Sequence, residues 1–222
     1  MEIMNRGEKH IACVLLVDTS GSMVDGNAIE ELNQGLQEFA AALQEDDKAY
    51  GCADVCVISF DTSVNTIVPF CPAADYHAPR LTAGGRTAMN EAIITGLDAI
   101  EIRKQEYKDV GVDYWRPWIF LLTDGLPTDI DLTNDAKRRL HEALRGNKVN
   151  FFPMGIGEGA NYDILRSYTL NNGSGVVLKA SKNNFKEAFV WLSKSMVVAS
   201  NSSVGTNQIM PPPLPSTITI AL

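Results

Sequence analysis

Oxygen-bearing side chains gather at three places where the chain leaves an ordered element. Asp18-Thr-Ser20-Gly-Ser22 follows the continuously apolar run Ile11–Val17, and Asp124-Gly125 follows a second run, Trp118–Thr123. A third segment, Gly84-Gly85-Arg86-Thr87, precedes a helical stretch and sets a hydroxyl at its start. The alternation of Asp18, Ser20 and Ser22 lets all three side chains point at one spot. Together Asp18, Ser20, Ser22, Thr87 and Asp124 form an all-oxygen donor set with no His or Cys among them. That set suits a single hard divalent cation, Mg²⁺ first, with Mn²⁺ and Ca²⁺ accepting the same donors, and it does not suit zinc. Taken singly, each residue could merely cap a helix or satisfy loop amides. The combination across three loops is what favours a metal.

Apolar runs of strand length alternate with amphipathic stretches, the pattern of an α/β sheet covered on both faces. The run Ile11–Val17 has no polar face, so it predicts a central parallel strand. Ala28 to Leu43 carries apolar residues at 29, 32, 36, 39, 40 and 43, a helical stripe. Residues 54–60 and 64–70 are β-rich and separated only by Asp61-Thr-Ser63, too short for a crossover helix, which predicts an antiparallel edge hairpin. A helix from about Thr87 to Lys104 leads to the strand Trp118–Thr123. Beyond it come a helix at 133–145, a strand at 149–154, a short helix at 162–168, a strand at 175–179 and a last helix at 184–200. Right-handed crossovers then build a three-layer, doubly wound, mostly parallel sheet, in which ligands bind at the carboxyl ends of the strands. Residues 1–9 precede this domain, 10–200 form it, and 201–222, with Pro211-Pro-Pro-Leu-Pro215, read as a flexible tail.

The chain has 222 residues, enough for one large domain, and 19 Lys plus Arg against 27 Asp plus Glu give a net charge of −8. That balance repels phosphate backbones and anionic lipid, so nucleic acid and membrane are poor partners. The run before Asp18 is too short for a membrane span and lacks a small-residue cleavage site. Cys13, Cys52, Cys56 and Cys71 match no paired zinc spacing and read as buried thiols of a reducing compartment, hence a cytoplasmic protein.

Asp18-x-Ser20-x-Ser22, Thr87 and Asp124 resemble, position for position, the metal-ion-dependent adhesion site of von Willebrand factor type A domains, over about residues 10 to 200. The resemblance implies a Rossmann-like fold and a docking role. The serines and, in the engaged state, the threonine would bind the metal directly while the aspartates act partly through water. The ion then keeps an open position for a carboxylate of a partner protein. More narrowly, Asn33-x-Gly35-Leu36, Val57-Ile-Ser-Phe60 and Tyr114-Trp-Arg-Pro-Trp-Ile-Phe-Leu-Leu-Thr-Asp-Gly-Leu-Pro-Thr128-Asp129 resemble the bacterial TerY and YegL group associated with tellurite resistance. That group implies a stress-response setting and, as partners, a serine/threonine protein kinase and a metal-dependent protein phosphatase. Asn90 departs from the glycine that group leads one to expect just after the site threonine.

The rival chemistry is metal-dependent phosphotransfer through Asp18, since haloacid-dehalogenase-like phosphatases also place an Asp after the first strand. They need a second acid two residues on as proton donor, and Ser20 stands there. With only His10, His77 and His141, and no nucleophile elbow after a strand, hydrolase triads fail. Gly155-Ile-Gly157-Glu-Gly159 has its third glycine one residue too early for a dinucleotide fingerprint and reads as a tight turn. Trp115 reads as a packing residue with an interface role as the alternative. Asp25, Asp61, Asp129 and Asp131 are expected as an acidic rim around the site.

Overall fold

A computed structural model describes residues 3, 5–170, 176–182, 186–200 and 213–221. Among these, seven strands form one sheet in the order β3-β2-β1-β4-β5-β6-β7. β1 (Ile11–Asp18), β2 (Ala53–Phe60), β4 (Trp118–Thr123), β5 (Asn150–Ile156) and β6 (Leu178–Ala180) run parallel, while β3 (Val64–Pro72) and β7 (Ile218–Ile220) pair antiparallel at the two edges. The predicted hairpin at 54–70 is therefore present, and a second antiparallel pair closes the other edge of the sheet. The second comes from the segment read as tail: Leu178 pairs with Ile220 and Ala180 with Ile218. Ile218 is buried, so the edge strand is held by packing as well as by its ladder. Residues 201–212, including Pro211 and Pro212, lie outside the described residues.

Helices cover both faces. α1 (Ala28–Gln44), α2 (Asp47–Cys52) and α6 (Lys186–Ser200) lie on one side; α3 (Met89–Asp109), α4 (Thr133–Arg145) and α5 (Tyr162–Ser167) lie on the other. The two-residue period of a strand sends alternate β1 side chains to opposite layers. Cys13, Leu15 and Val17 pack with Leu32, Leu36, Phe39 and Phe189, while Val14 and Leu16 pack with Met89, Ile93 and Leu140. Because every residue of β1 is buried, no polar alternation marks it in the sequence. α4 has the bounds its periodicity predicts. The strand expected at 175–179 is observed only as Leu178–Ala180, and the last helix is described from Lys186; Gly175 and Asn184 lie outside the described residues. α2 was read as no element. It is six residues long, too short to show a period, and is started by Asp46, whose carboxylate accepts from the Lys48 and Ala49 amides.

The sequence places the start of α3 at Thr87, yet it begins at Met89. Ala88, at φ −79° and ψ 56°, is outside the helical region, and the loop is held so by Thr87 N donating to Thr128 Oγ1 at 3.1 Å and Ala88 N to Asp61 O at 2.8 Å. The segment leading to that start is fixed from below by buried Asn33. Its amide donates to Leu81 O at 2.9 Å and its carbonyl accepts from Leu81 N at 2.7 Å. Asn33→Ala should cost about 1–3 kcal/mol, since both groups of Leu81 then lose a buried partner. Urea unfolding checks this, and a loss below about 0.5 kcal/mol would mean that water replaces the amide.

Trp115 is buried, with the Lys9 ammonium 3.6 Å from its ring centre, which supports packing over an exposed interface role. All four cysteines are buried and free. Burial pushes Cys56 up to about 12 and Cys71 up to about 11, so both stay protonated thiols.

Candidate metal centre

The strand order reverses between β1 and β4: crossovers from β1 lead to β2 on one side and, after β3, to β4 on the other. This is the switch point, and Asp18 and Asp124 stand at the carboxyl ends of the two strands that flank it. Four of the five predicted residues form one hydrogen-bonded set. Ser20 N donates to Asp18 Oδ1 at 2.8 Å, the Ser20 and Ser22 hydroxyls lie 3.1 Å apart, and Ser22 Oγ donates to Asp124 Oδ1 at 2.5 Å. Thr87 stands beside this set: its hydroxyl and that of Ser22 lie 3.4 and 3.7 Å from where a Cβ on Gly125 would sit. A side chain at position 125 would thus intrude between two of the donors. The loops are tied to one another through their backbones, Gly21 N to Gly85 O at 3.1 Å and Gly84 N to Thr19 O at 2.8 Å.

Asp18 is fully buried. Burial, only partly offset by hydrogen bonds from Ser20 and Thr123 and reinforced by the nearby Asp124 charge, pushes its carboxyl up to about 6. Two carboxylates and three hydroxyls gather here against a single ammonium, that of Lys182. The donors also match a small ion in size, because neighbouring ligands of an octahedral Mg²⁺ lie about 3 Å apart. The residues present therefore fit a hard divalent cation.

Two participants, Thr123 and Lys182, carry no role in the sequence reading. Thr123 donates its hydroxyl to Asp18 Oδ2 at 2.5 Å and accepts from Gly125 N at 3.2 Å, so it holds both acid loops. The signal available was a lone hydroxyl ending an apolar strand. Lys182 puts its ammonium 2.7 Å from Asp124 Oδ2 and donates to the Ser22 carbonyl at 2.9 Å. It stands 160 residues from Ser22, and no local pattern announces it. Asn90, unexpected on the resemblance, is buried and fully engaged. Its amide donates to Asp129 O at 3.0 Å and Thr133 Oγ1 at 3.1 Å, and its carbonyl accepts from Tyr168. It ties α3 to the loop after β4 instead of facing the donors.

The acidic rim is smaller than expected. Asp129 accepts from the Glu91 amide at 2.8 Å and so opens α3, and Asp61 accepts from the Ser63 amide at 3.0 Å; Asp25 and Asp131 are exposed. For Asp18 as a nucleophile the geometry is poor, since both of its oxygens are engaged and neither face is open to solvent.

A doubly wound α/β domain with an oxygen cluster at its switch point is the class that these features define. The chain belongs to the von Willebrand factor type A domain family, whose model matches residues 13–127. Domains of this family typically serve protein–protein interaction or adhesion. Inter-alpha-trypsin inhibitor heavy chain H6 of Homo sapiens is 29% identical over 178 residues, 74% of this chain and 13% of that protein. Heavy chain H3 of Bos taurus is 24% identical over 168 residues, 72% of this chain. The chain thus spans 13% and 18% of the lengths of these curated relatives. Among solved structures, the von Willebrand factor type A protein of Catenulispora acidiphila superposes with a TM-score of 0.62 at 18% identity, over 86% of this chain and 43% of that one. The pilus adhesin SpaC of Lactobacillus rhamnosus GG superposes with a TM-score of 0.66 at 14% identity, over 88% and 32%. At these identities the structural likeness establishes the fold. No helix among the described residues is long and apolar enough to cross a membrane.

Proposed function

We propose that the chain is a metal-dependent docking module: Asp18, Ser20, Ser22, Thr87 and Asp124 hold one divalent cation, Mg²⁺ before Mn²⁺ or Ca²⁺, and the ion grips a carboxylate of a partner protein. The observation that carries this reading is the run of oxygens from Ser20 to Ser22 at 3.1 Å and from Ser22 to Asp124 at 2.5 Å, beside buried Asp18. When bound, the ion would supply an electrophilic centre for an incoming acid, since few charged donors would touch it directly. Ser22 is exposed, so that centre would face solvent. The same loops also display the apolar side chains of Val24, Leu126 and Ile130, which is 75% exposed, as contact surface for a partner. A metal-dependent phosphatase working through Asp18 is the weaker reading, because the carboxylate is buried and both its oxygens are engaged.

The setting follows from the resemblance of Tyr114–Asp129 to the TerY and YegL group: a tellurite-resistance or stress-response system in the cytoplasm, with a serine/threonine kinase and a metal-dependent phosphatase among the partners. The buried free thiols agree with a reducing compartment.

Thermal unfolding of chelator-treated protein, with and without millimolar Mg²⁺, Mn²⁺ or Ca²⁺, tests the site. An ion at a hundred times its dissociation constant stabilises the folded state by about 2.7 kcal/mol. In a domain of this size that raises the midpoint by roughly 5–10 °C. The shift should vanish in Asp18→Ala. A midpoint unmoved by all three ions, in the wild type and in Lys182→Met alike, overturns the metal reading.

A further inference from the structure

Lys182 occupies the position from which a cation would neutralise Asp124. Its ammonium lies 2.7 Å from Asp124 Oδ2, the oxygen left after Ser22 has taken Oδ1, and it donates at 2.9 Å to the carbonyl of Ser22 itself. The Asp124 carboxylate is fully buried, whereas the lysine side chain keeps 23% of its surface in solvent. The fold makes room for this arm. Gly157 sits at φ +72°, and a Cβ there would come within 2.9 Å of Lys182 Cγ. The turn that carries it is pinned by Gly157 N donating to Ala180 O at 2.7 Å, two residues before Lys182. The neighbouring Lys179 is engaged elsewhere, paired with Glu158 at 3.2 Å. Lys182 is thus the basic side chain that the β6 end sends to this pocket among the described residues.

We propose that Lys182 is a tethered competitor of the metal: its ammonium and a divalent ion are alternative occupants of the same oxygen cage. The inference rests on the metal reading above. A divalent ion on Asp124 and an ammonium within hydrogen-bond reach of the same buried carboxylate repel strongly, so one must leave before the other settles. The lysine can leave, because its four-carbon stem is flexible and partly solvated. In the closed state the buried acid has its counter-charge without any ion; in the open state the ammonium is released to the rim of the site. Lys182 therefore sets how much metal is needed to switch the site on. If the pair is closed nine times in ten, the apparent metal affinity is about tenfold below that of the open site.

Lys182→Met keeps the apolar stem and removes the charge. Titration calorimetry of the full chain with Mg²⁺ should give about tenfold tighter binding for the variant than for the wild type. In the wild type, acylation of Lys182 by N-hydroxysuccinimide acetate, read by mass spectrometry, should quicken when Mg²⁺ is saturating. Binding by Lys182→Met alone would support the competition in its strongest form. Equal affinities in both proteins, with acylation unchanged by Mg²⁺, would overturn the competition and leave the metal site standing. No Mg²⁺, Mn²⁺ or Ca²⁺ binding by either protein would overturn both.

Discussion

Asp54→Asn is expected to cost about 3–5 kcal/mol, because it strands a buried guanidinium. Asp54 lies at the amino end of β2, the end of the sheet away from the metal centre, and is fully buried. Its Oδ1 pairs with Arg103 at 2.9 Å, and its Oδ2 accepts from His10 Nδ1 at 2.9 Å and from the Tyr107 hydroxyl. A carboxylate only accepts, so His10 Nδ1 carries a proton and donates it to Asp54. Burial works to lower the Arg103 pKa, but the Asp54 charge overrides it and holds the guanidinium firmly protonated. Burial, reinforced by Asp54, drives the Tyr107 phenol well above its usual range, so it remains a donor. Asparagine keeps the shape, loses the charge, and leaves Arg103, only 1% exposed, with half-exposed Glu106 as its remaining acid beside the Tyr107 and Phe70 rings. Denaturant unfolding gives the loss directly. A cost below about 1 kcal/mol would mean that the guanidinium finds water, and the cluster would then count for little. Any metal response of the fraction that stays folded should be unchanged, since Asp54 and the Asp18–Asp124 oxygen cluster sit at opposite ends of the sheet.

Phe189→Ala comes next, also at about 3–5 kcal/mol. Phe189 is fully buried at the contact of α6 with α1 and the sheet, edge-on to Phe39 at 6.4 Å and Phe120 at 6.2 Å. Its ring fills the place where a side chain on α1 would be: a Cβ on Gly35 would fall 2.3 Å from Phe189 Cδ2. The two positions should therefore be coupled. Gly35→Ala alone overpacks and destabilises by about 1–3 kcal/mol, yet in the Phe189→Ala background it places a methyl in the vacated space and gains the helix propensity of alanine. A double-mutant cycle reads the coupling, with additivity within about 0.5 kcal/mol showing that the helices move apart instead.

How far these features were legible depends on the range over which they act. β1 and β4 could be read because a strand buried on both faces needs an unbroken apolar run, and the site because its donors follow those runs directly. Asn33 and Gly35 stood out in the sequence, but what they touch, Leu81 and Phe189, lies on other elements and had to come from the structure. β7 was read as tail: three residues carry too little periodicity, and its pairing with β6 spans a proline segment. Asn90 shows the limit from the other side. It was marked as an anomaly next to the site, whereas it serves as a hydrogen-bond junction of α3 with Asp129, Thr133 and Tyr168. Its meaning depends on three partners that the fold alone brings together.

The order of the strands also sets the order in which the site can be assembled as the chain leaves the ribosome. Domains are made from the amino end, and the central strand β1 emerges first with Asp18, Ser20 and Ser22 behind it. Asp124 follows 102 residues after Ser22, and Lys182 comes last. A chain that folds as it is made therefore has both acids before the ammonium of Lys182 exists, so in that interval their charge is balanced without it.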